Sequence, residues 1–364
     1  MIKIPIVIRN IFLLSLVVTT LSACTLGRFV FYNFADINDH KKFPKRTLEK
    51  PETSFSFAKK ANKQSPKIDS FEYTLETNKT VAFLIIKNDT ITYENYFNKY
   101  DTASIVPSFS MAKSILSILV GCAIDEQLIT SVDEPITNYI PELKKNGFEK
   151  VSIKHLLQMT SGLKFDEGYF NPFGHVATFY YGLNLRKNIK RLKLEKAPGK
   201  STNYVSGNTQ LLGLVLERAL GDKTLTNYLQ EKLWTPLGME YDASWSIDRK
   251  KNGLEKTFCC INARARDFAK IGRLYLNEGN WEGQQIVSEE WVRESTKLDN
   301  SEGGYNGYQY QWWIPSANGD FMAEGILGQY IYVSPKKNLI IVRLGKNYGN
   351  VNWRNSFLSI AAKN

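Results

Sequence analysis

Ser110 and Lys113 stand three residues apart in VPSFSMAKSILSILVGCAIDE, residues 106–126, where a polar stretch meets a long apolar run. The run is typical of a buried helix. A serine in the first turn of such a helix lies at the positive end of the helix dipole, beside backbone N–H groups that have no partner within the helix. Lys113, one turn further on, would project from the same face. The pair therefore predicts a site suited to an anion that forms nearby.

A lysine held among apolar side chains could act as a general base. Desolvation would lower its pKa from about 10.4, so that the amine could accept the Ser110 proton near neutral pH. This is nucleophilic catalysis without a histidine. The alternative is a helix-capping serine followed by a lysine whose charged end reaches solvent. The spacing alone decides little, because the chain contains four Ser-x-x-Lys pairs, and only Ser110/Lys113 leads into a long apolar helix.

Two further segments carry groups that could join this site. In PGKSTNYVSGNTQLLGLVLERALG, residues 198–221, Tyr204 lies in a polar loop just before an apolar helix, where its hydroxyl could relay a proton. In FMAEGILGQYIYVSP, Gly328 stands at the start of a strand, so the backbone N–H of Gln329 could pair with that of Ser110 as an oxyanion hole. The alternatives are an ordinary interfacial tyrosine and a simple turn glycine.

The motifs SMAK, YVS and GILGQ follow one another in an order that resembles a known family. The segments LLQMTSGL, PGKSTNYVSGNTQLLG and NARARDFAKIGRLYL strengthen the resemblance, which covers roughly residues 70 to 360. The family is that of the serine β-lactamase-like hydrolases, which includes class C β-lactamases, serine DD-peptidases, family VIII esterases and 6-aminohexanoate-dimer hydrolase. The resemblance implies that Ser110 is the nucleophile, Lys113 its base and Tyr204 the residue that passes the proton to the leaving group. It also implies an oxyanion hole made by the amides of Ser110 and Gln329.

Two motifs depart from the pattern of the penicillin-recognising members. Where those have Tyr-x-Asn this chain has Tyr204-Val205-Ser206, and where they have Lys/His-Thr-Gly it has Ile326-Leu327-Gly328. The third motif thus lacks the cation and hydroxyl that hold a β-lactam carboxylate, and charge-assisted contacts are the strong ones. Esters or amides are therefore favoured over penicillins as small-molecule substrates.

The sequence thus predicts a serine hydrolase that cleaves an ester or amide bond through an acyl-serine intermediate, and the N-terminal features described below predict that it is membrane-anchored. One alternative is a penicillin-interacting protein of the DD-peptidase or β-lactamase type. Another is a non-catalytic lipoprotein that uses the same fold to bind a ligand.

Four residues are candidates for the substrate pocket. Ser206 and Gly328 belong to the motifs, and Glu167 follows the loop segment TSGLKF, although a solvated loop carboxylate is its alternative fate. Side-chain alternation along a strand would send one of Trp312 and Trp313 inward, and Trp312 is the candidate. No cofactor or metal is expected, since the histidines at 40, 155 and 175 lie far apart without ligand spacing.

The fold follows from where the strand patterns fall. VAFLIIK and TITYENYF, joined at Asn88-Asp89, predict a hairpin, and further strands are predicted at 308–313, 328–333 and 339–344. Strands at both ends of the domain imply one antiparallel sheet with a mainly helical segment inserted at about 130–230. The predicted class is α/β, with the β-lactamase/transpeptidase-like arrangement of an antiparallel sheet flanked by helices and an inserted all-helical lobe.

Residues 1–23 have the features of a lipoprotein signal peptide. A basic start is followed by an apolar stretch from Ile11 to Val18 and by Leu21-Ser22-Ala23-Cys24, which looks like a bacterial lipobox. Lipidation of Cys24 would anchor the chain in the bacterial cell envelope, at the outer membrane where there are two membranes. An uncleaved helical anchor is the alternative, although the apolar run is short for a span of ~20 residues.

Residues 24–69 are predicted to form a basic tether before a hydrolase domain at 70–364. Residues 40–67 hold nine basic and two acidic side chains, so much of the formal net charge of +11 is local to this segment. Such a tether would attract anionic lipid headgroups or act as a plain solvated linker, and nucleic acid is not an expected partner. Cys259 and Cys260 are expected to remain unbridged, since adjacent cysteines rarely pair.

Overall fold

The structure, a computed structural model, describes residues 25–32, 34–60 and 70–364. Its strands are β1 (Lys45–Leu48), β2 (Ala58–Lys59), β3 (Thr80–Lys87), β4 (Thr90–Tyr96), β5 (Val106–Pro107), β6 (Leu163–Lys164), β7 (Lys193–Leu194), β8 (Ala243–Ser246), β9 (Ile261–Ala263), β10 (Asn280–Trp281), β11 (Gln284–Gln285), β12 (Tyr308–Gln309), β13 (Trp312–Trp313), β14 (Phe321–Gly325), β15 (Gln329–Ser334) and β16 (Leu339–Gly345).

The α-helices are α1 (Thr25–Tyr32), α2 (Ser70–Thr77), α3 (Met111–Asp125), α4 (Ile153–Leu157), α5 (His175–Tyr181), α6 (Leu185–Ile189), α7 (Ser206–Ala219), α8 (Leu225–Leu229), α9 (Ala265–Leu276), α10 (Glu289–Thr296) and α11 (Trp353–Lys363). Short 3₁₀ segments and one π-helical turn, Gln230–Trp234, connect several of them. Within the described ranges no helix has the length and apolarity needed to cross a membrane.

An eight-stranded sheet in the order β12-β13-β14-β15-β16-β3-β4-β2 forms the centre of the fold. Its neighbours pair antiparallel, apart from β2, which runs parallel to β4. Strands from both ends of the domain therefore share one sheet, as predicted. The hairpin between β3 and β4 is also confirmed, with Asn88 and Asp89 in the left-handed conformation that a tight two-residue turn requires.

Helices cover both faces of this sheet. Helices α3 and α9 pack on one face, whereas α2 and α11 pack on the other. On β3, Leu84 and Ile86 join the core on the α3 side, while Phe83 and Ile85 join the cluster that contains Phe357 of α11. Because both faces are covered, β3 is an unbroken apolar run instead of alternating between apolar and polar residues.

The prediction of a single strand at 308–313 is wrong. Strands β12 and β13 pair with each other through a turn at Tyr310 and Gln311, both of which have positive φ. The buried side chain of Gln311 accepts a hydrogen bond from Thr209 and donates to the carbonyl oxygens of Leu156 and Leu157. Hydrogen bonds from distant segments therefore hold a turn that contains no glycine or asparagine.

The prediction of a flexible tether at 24–69 is corrected for the described residues 25–32 and 34–60. Strand β1 pairs with β8 and β2 pairs with β4, so both are parts of sheets. The aromatic and aliphatic residues between the lysines are buried in the main core, among them Phe43, Leu48 and Phe57. This burial holds the segment on the domain despite its charge. The predicted signal peptide, Cys24 and residues 61–69 lie outside the described residues.

The cysteines also differ from expectation. Cys259 and Cys260 form a disulfide with each other, so the prediction that they would remain unbridged is wrong. The backbone turns sharply here, because Cys259 N–H donates to the carbonyl of Lys256 and Cys260 adopts a left-handed φ of 76°. This turn brings the two neighbouring side chains together. Cys122, the free cysteine among the described residues, is buried.

Candidate active site

A tight turn between β5 and α3 presents Ser110. Ser108 fixes the turn, since its backbone N–H donates to the Ile261 carbonyl of β9 and its hydroxyl accepts from the Ile261 N–H. Phe109, which is buried, has a positive φ of 43°, an unfavourable conformation for a bulky residue. Backbone strain of this kind is held by its surroundings and is common at functional sites. Ser110 then begins α3 without using its side chain as a helix cap.

Lys113 is fully buried and its ammonium group lies next to Ser110. Its Nζ donates to Ser110 Oγ at 2.9 Å, to the Phe258 carbonyl at 2.9 Å and to Ser206 Oγ at 3.3 Å. Burial lowers the pKa of Lys113 to about 8, and the Glu167 carboxylate acts in the opposite direction. The lysine does not extend to solvent, and a substantial fraction of it is neutral near physiological pH. It therefore has the position and the pKa of a general base.

Tyr204 lies on the other side of Ser110. Its ring centroid is 5.2 Å from Lys113 Nζ, and its hydroxyl is near enough to the Ser110 side chain to interact with it. Burial raises the pKa of this phenol well above its usual value, while the interaction with the Ser110 side chain lowers it. Contacts with the rings of Tyr308 and Trp313, at 5.6 and 5.3 Å between centroids, hold Tyr204 in place. The phenol thus remains protonated and can donate a proton within the site.

The tryptophan near the site is Trp313, whereas Trp312 was the candidate. Trp312 is fully buried, stacks on Tyr275 at 4.5 Å and packs on Phe321. It does not line the cavity at Ser110. Side chains do alternate here, but along strand β13 of the β12–β13 hairpin, where Trp313 faces Tyr204 and Trp312 points into the core.

Gly325 brings the two predicted oxyanion-hole residues together. It pairs with Gln329 across β14 and β15, and a Cβ atom at 325 would lie 3.1 Å from Ser110 N and 2.5 Å from Ser108 O. Only glycine permits this close approach of the strand to the helix start. The Gln329 side chain is used elsewhere, because its amide bonds to both the N–H and the carbonyl of Gly345.

Gly328 has a structural role instead of lining the pocket. Its φ is 82°, and a Cβ atom would lie 2.0 Å from Nη1 of the buried Arg343. The same Nη1 donates to the Gly328 carbonyl at 2.6 Å. Arg343 therefore fixes the turn that leads into Gln329, a role that nothing in the sequence indicated.

Hydrogen bonds connect Glu167 and Ser206 to Lys113. The Glu167 carboxylate accepts from the backbone N–H and the hydroxyl of Ser206 at 2.7 and 2.6 Å, and Ser206 in turn contacts Lys113. Ser206 opens α7, where a carboxylate is favoured by the unpaired N–H groups and the helix dipole. Glu167 therefore belongs to the site and is not a solvated loop carboxylate.

A cavity of 330 Å³ opens above Ser110. Its lining is almost wholly apolar, and Ser110 and Ser206 lie at its polar end. No Lys, Arg, Asp or Glu side chain of the described residues lines it. The lining residues are Phe34, Ala35, Phe109, Ser110, Tyr169, Phe170, Val176, Ala177, Tyr180, Tyr181, Ser206, Phe258, Cys259, Ile326, Leu327 and Tyr348. In the part of the chain that the structure describes, no group of His, Cys, Asp or Glu is arranged to hold a metal ion.

Comparisons with known proteins agree with this fold. The 6-aminohexanoate-dimer hydrolase of Paenarthrobacter ureafaciens is 27% identical over 300 residues, which cover 76% of this chain and 75% of the relative. A solved structure from Bacillus anthracis, named provisionally as a 6-aminohexanoate-dimer hydrolase, is 25% identical with a TM-score of 0.78, covering 90% of this chain and 92% of the other. A family VIII carboxylesterase shares the fold, with a TM-score of 0.62 at 18% identity over 80% of this chain and 94% of the other.

A sequence profile of the Beta-lactamase family matches residues 75–352. This range contains the strained turn, the buried lysine and the tyrosine described above. The chain belongs to the Beta-lactamase family of serine hydrolases.

Proposed function

We propose that the protein cleaves an ester or amide bond through an acyl-Ser110 intermediate. The observation that carries the proposal is the buried Lys113 Nζ at 2.9 Å from Ser110 Oγ, with a pKa lowered to about 8. Neutral Lys113 takes the hydroxyl proton while Ser110 Oγ attacks the carbonyl carbon. The amides of Ser110 and Gln329 stabilise the oxyanion, and Tyr204 passes a proton to the leaving group. Water then attacks the acyl-enzyme and releases the acid.

The cavity favours a neutral, apolar acyl group over a penicillin. Ile326 and Leu327 line it where penicillin-recognising members carry a cation and a hydroxyl. A β-lactam carboxylate would be desolvated there without a charged partner among the described lining residues, which is unfavourable. The same argument gives no support to a charged 6-aminohexanoate substrate, so the activity named for the relative is not carried over to this chain.

Labelling of Ser110 tests the proposal. A fluorophosphonate probe should add one adduct to the protein, located at Ser110 by intact-mass and peptide analysis, and Ser110→Ala should abolish both the adduct and short-chain ester turnover. Ser114→Ala is a matched control, because this neighbouring α3 serine donates only to the Gln311 carbonyl. Labelling that persists in Ser110→Ala would contradict the proposal. A wild-type protein that is neither labelled nor active would favour a non-catalytic, ligand-binding role.

The pH profile should report the state of Lys113. Only the neutral amine can accept the Ser110 proton, so kcat/KM should rise with pH through about 8. Glu167→Gln removes the negative charge that favours the ammonium form, so the rising limb should move to lower pH. Asp166→Asn is the control, since that carboxylate bonds within its own loop to Gly168 and Asn171. An unchanged limb in Glu167→Gln would show that this charge does not act on the base.

A further inference from the structure

The N-terminal segment builds one wall of the apolar cavity. Phe34 and Ala35 line it, although they precede the family-matched region by about forty residues. Phe34 contacts Phe170 on the opposite lip at 5.0 Å between ring centroids. Helix α1 is held against α5 by Phe29 and Tyr32, whose rings lie 5.3 and 6.4 Å from that of Tyr181. The opening of the cavity is therefore next to α1.

Exposed apolar side chains lie in the two chain segments that meet at this opening through the Phe34–Phe170 contact. We define the aromatic rim as Val30, Phe31, Phe34, Phe170 and Phe173. Four of these are the most exposed large hydrophobic residues in the described chain, with Phe173 at 79%, Phe170 at 77%, Phe31 at 76% and Val30 at 71%. Scattered exposed apolar residues need no explanation, but a cluster at the mouth of an apolar cavity indicates an interaction surface.

The sequence that precedes the rim indicates what covers it. Helix α1 begins directly after Cys24 and the apolar stretch Ile11 to Val18. If Cys24 carries a lipid, or if the stretch remains as an anchor, the part of the chain next to α1 is the part held at the membrane. Val30 lies six residues beyond Cys24, which is ~9 Å of helix. Exposed aromatic residues at that distance are typical of the interface between a bilayer and water.

Two basic side chains lie on the packed side of α1, away from its exposed residues. The Arg28 guanidinium and the Lys42 ammonium both lie over the Tyr32 ring, at 5.4 and 5.6 Å from its centroid. Lys42 also donates to the Tyr32 carbonyl at the end of α1. Lys42 is also ion-paired with the buried Asp39 at 2.7 Å, so the case for docking rests on the apolar rim and not on these charges.

We propose that the aromatic rim docks on the lipid bilayer to which the N-terminus is anchored, and that the cavity takes its substrate from that bilayer. The substrate class is then an amphiphilic ester whose acyl chain enters the apolar cavity and whose carbonyl reaches Ser110. This substrate class rests on the hydrolase activity proposed above, whereas the docking of the rim does not. The bond chemistry is the acyl transfer to water already described.

Turnover on vesicles tests the substrate. The full chain is reconstituted in phosphatidylethanolamine and phosphatidylglycerol vesicles (3:1) and given either a soluble short-chain chromogenic ester or a long-chain fluorogenic ester embedded in the vesicles. The double variant Phe31→Ser/Phe173→Ser should turn over the embedded ester about tenfold or more slowly than wild type. Its turnover of the soluble ester should stay within about twofold of wild type. Neither residue lines the cavity. Tyr73→Ser changes another largely exposed aromatic residue, on α2 at the other face of the sheet, and should leave both rates unchanged.

Fluorescence tests the docking without relying on catalysis. Phe173→Trp should show more tryptophan emission than wild type, and lipids brominated in their acyl chains should quench this added emission. Tyr73→Trp should also show added emission, but the brominated lipids should not quench it. No extra quenching at position 173 would overturn the docking. A second outcome is quenching at position 173 together with an equal loss of turnover on both esters in the rim variant. This would overturn the proposal that the substrate comes from the bilayer. If the wild-type protein were inactive on both esters, the proposed hydrolase activity and substrate class would be overturned. The quenching experiment alone would then test whether the rim docks on the bilayer.

Discussion

Lys113→Arg should lower ester turnover by on the order of 10²- to 10⁴-fold, almost as much as Lys113→Ala. A guanidinium keeps its proton at any working pH, so it cannot accept one from Ser110. It would keep the positive charge and the ability to donate to Ser110 Oγ and the Phe258 carbonyl. Turnover of a short-chain ester, measured together with the melting temperature of each variant, distinguishes loss of the base from loss of the fold.

Lys164→Arg is the matched control for this substitution. Lys164 has the same spacing from a serine, Ser161, but its side chain is exposed and the Ser161 hydroxyl bonds to Asn208 instead. The change should leave turnover unaltered. If Lys113→Arg kept near-wild-type activity, the ammonium group would be a structural donor and not the base.

Tyr204→Phe should also reduce turnover strongly, by about 10²-fold or more, while leaving the fold intact. The substitution removes the hydroxyl that interacts with Ser110 and almost no volume. The ring would keep its contacts with Tyr308 and Trp313. If the phenol donates the proton to the leaving group, as proposed, the loss should be greatest for substrates whose leaving groups are poor. Comparing nitrophenyl with alkyl esters of the same acid measures this difference.

Tyr308→Phe provides the control for Tyr204→Phe. The Tyr308 ring contacts that of Tyr204, but its buried hydroxyl has no hydrogen-bond partner among the described residues. Removing an unpaired buried hydroxyl breaks no hydrogen bond and relieves its desolvation. Turnover should stay close to wild type and stability should not fall. Equal losses in the two variants would mean that ring packing, and not the Tyr204 hydroxyl, supports catalysis.

The central part of the site could be predicted because its determinants are local in the chain. A spacing of three residues on a helix places Ser110 and Lys113 on one face, whatever surrounds them. The apolar run that follows predicts burial, and burial alone accounts for the lowered pKa of Lys113. The β3–β4 hairpin is local in the same sense, since two turn residues between two apolar strands are sufficient to indicate it.

What the sequence could not show depends on segments that meet only in the folded chain. Glu167 reaches Ser206 across 39 residues, so the loop sequence alone indicates a solvated carboxylate. The N-terminal segment resembles a basic tether, and only the burial of its aromatic residues shows that it forms part of the cavity wall.

By itself, then, the sequence determined the family and the shared sheet and indicated Ser110 and Lys113 as the candidate nucleophile and base, because these follow from short-range spacing and from strand patterns. The tertiary structure decided which tryptophan approaches Tyr204. The turn at Tyr310 and Gln311 is held by hydrogen bonds from segments between 100 and 200 residues away, and it reverses the chain between the two strands. Side-chain direction in a strand depends on pairing, and pairing here is set by contacts that no local pattern records.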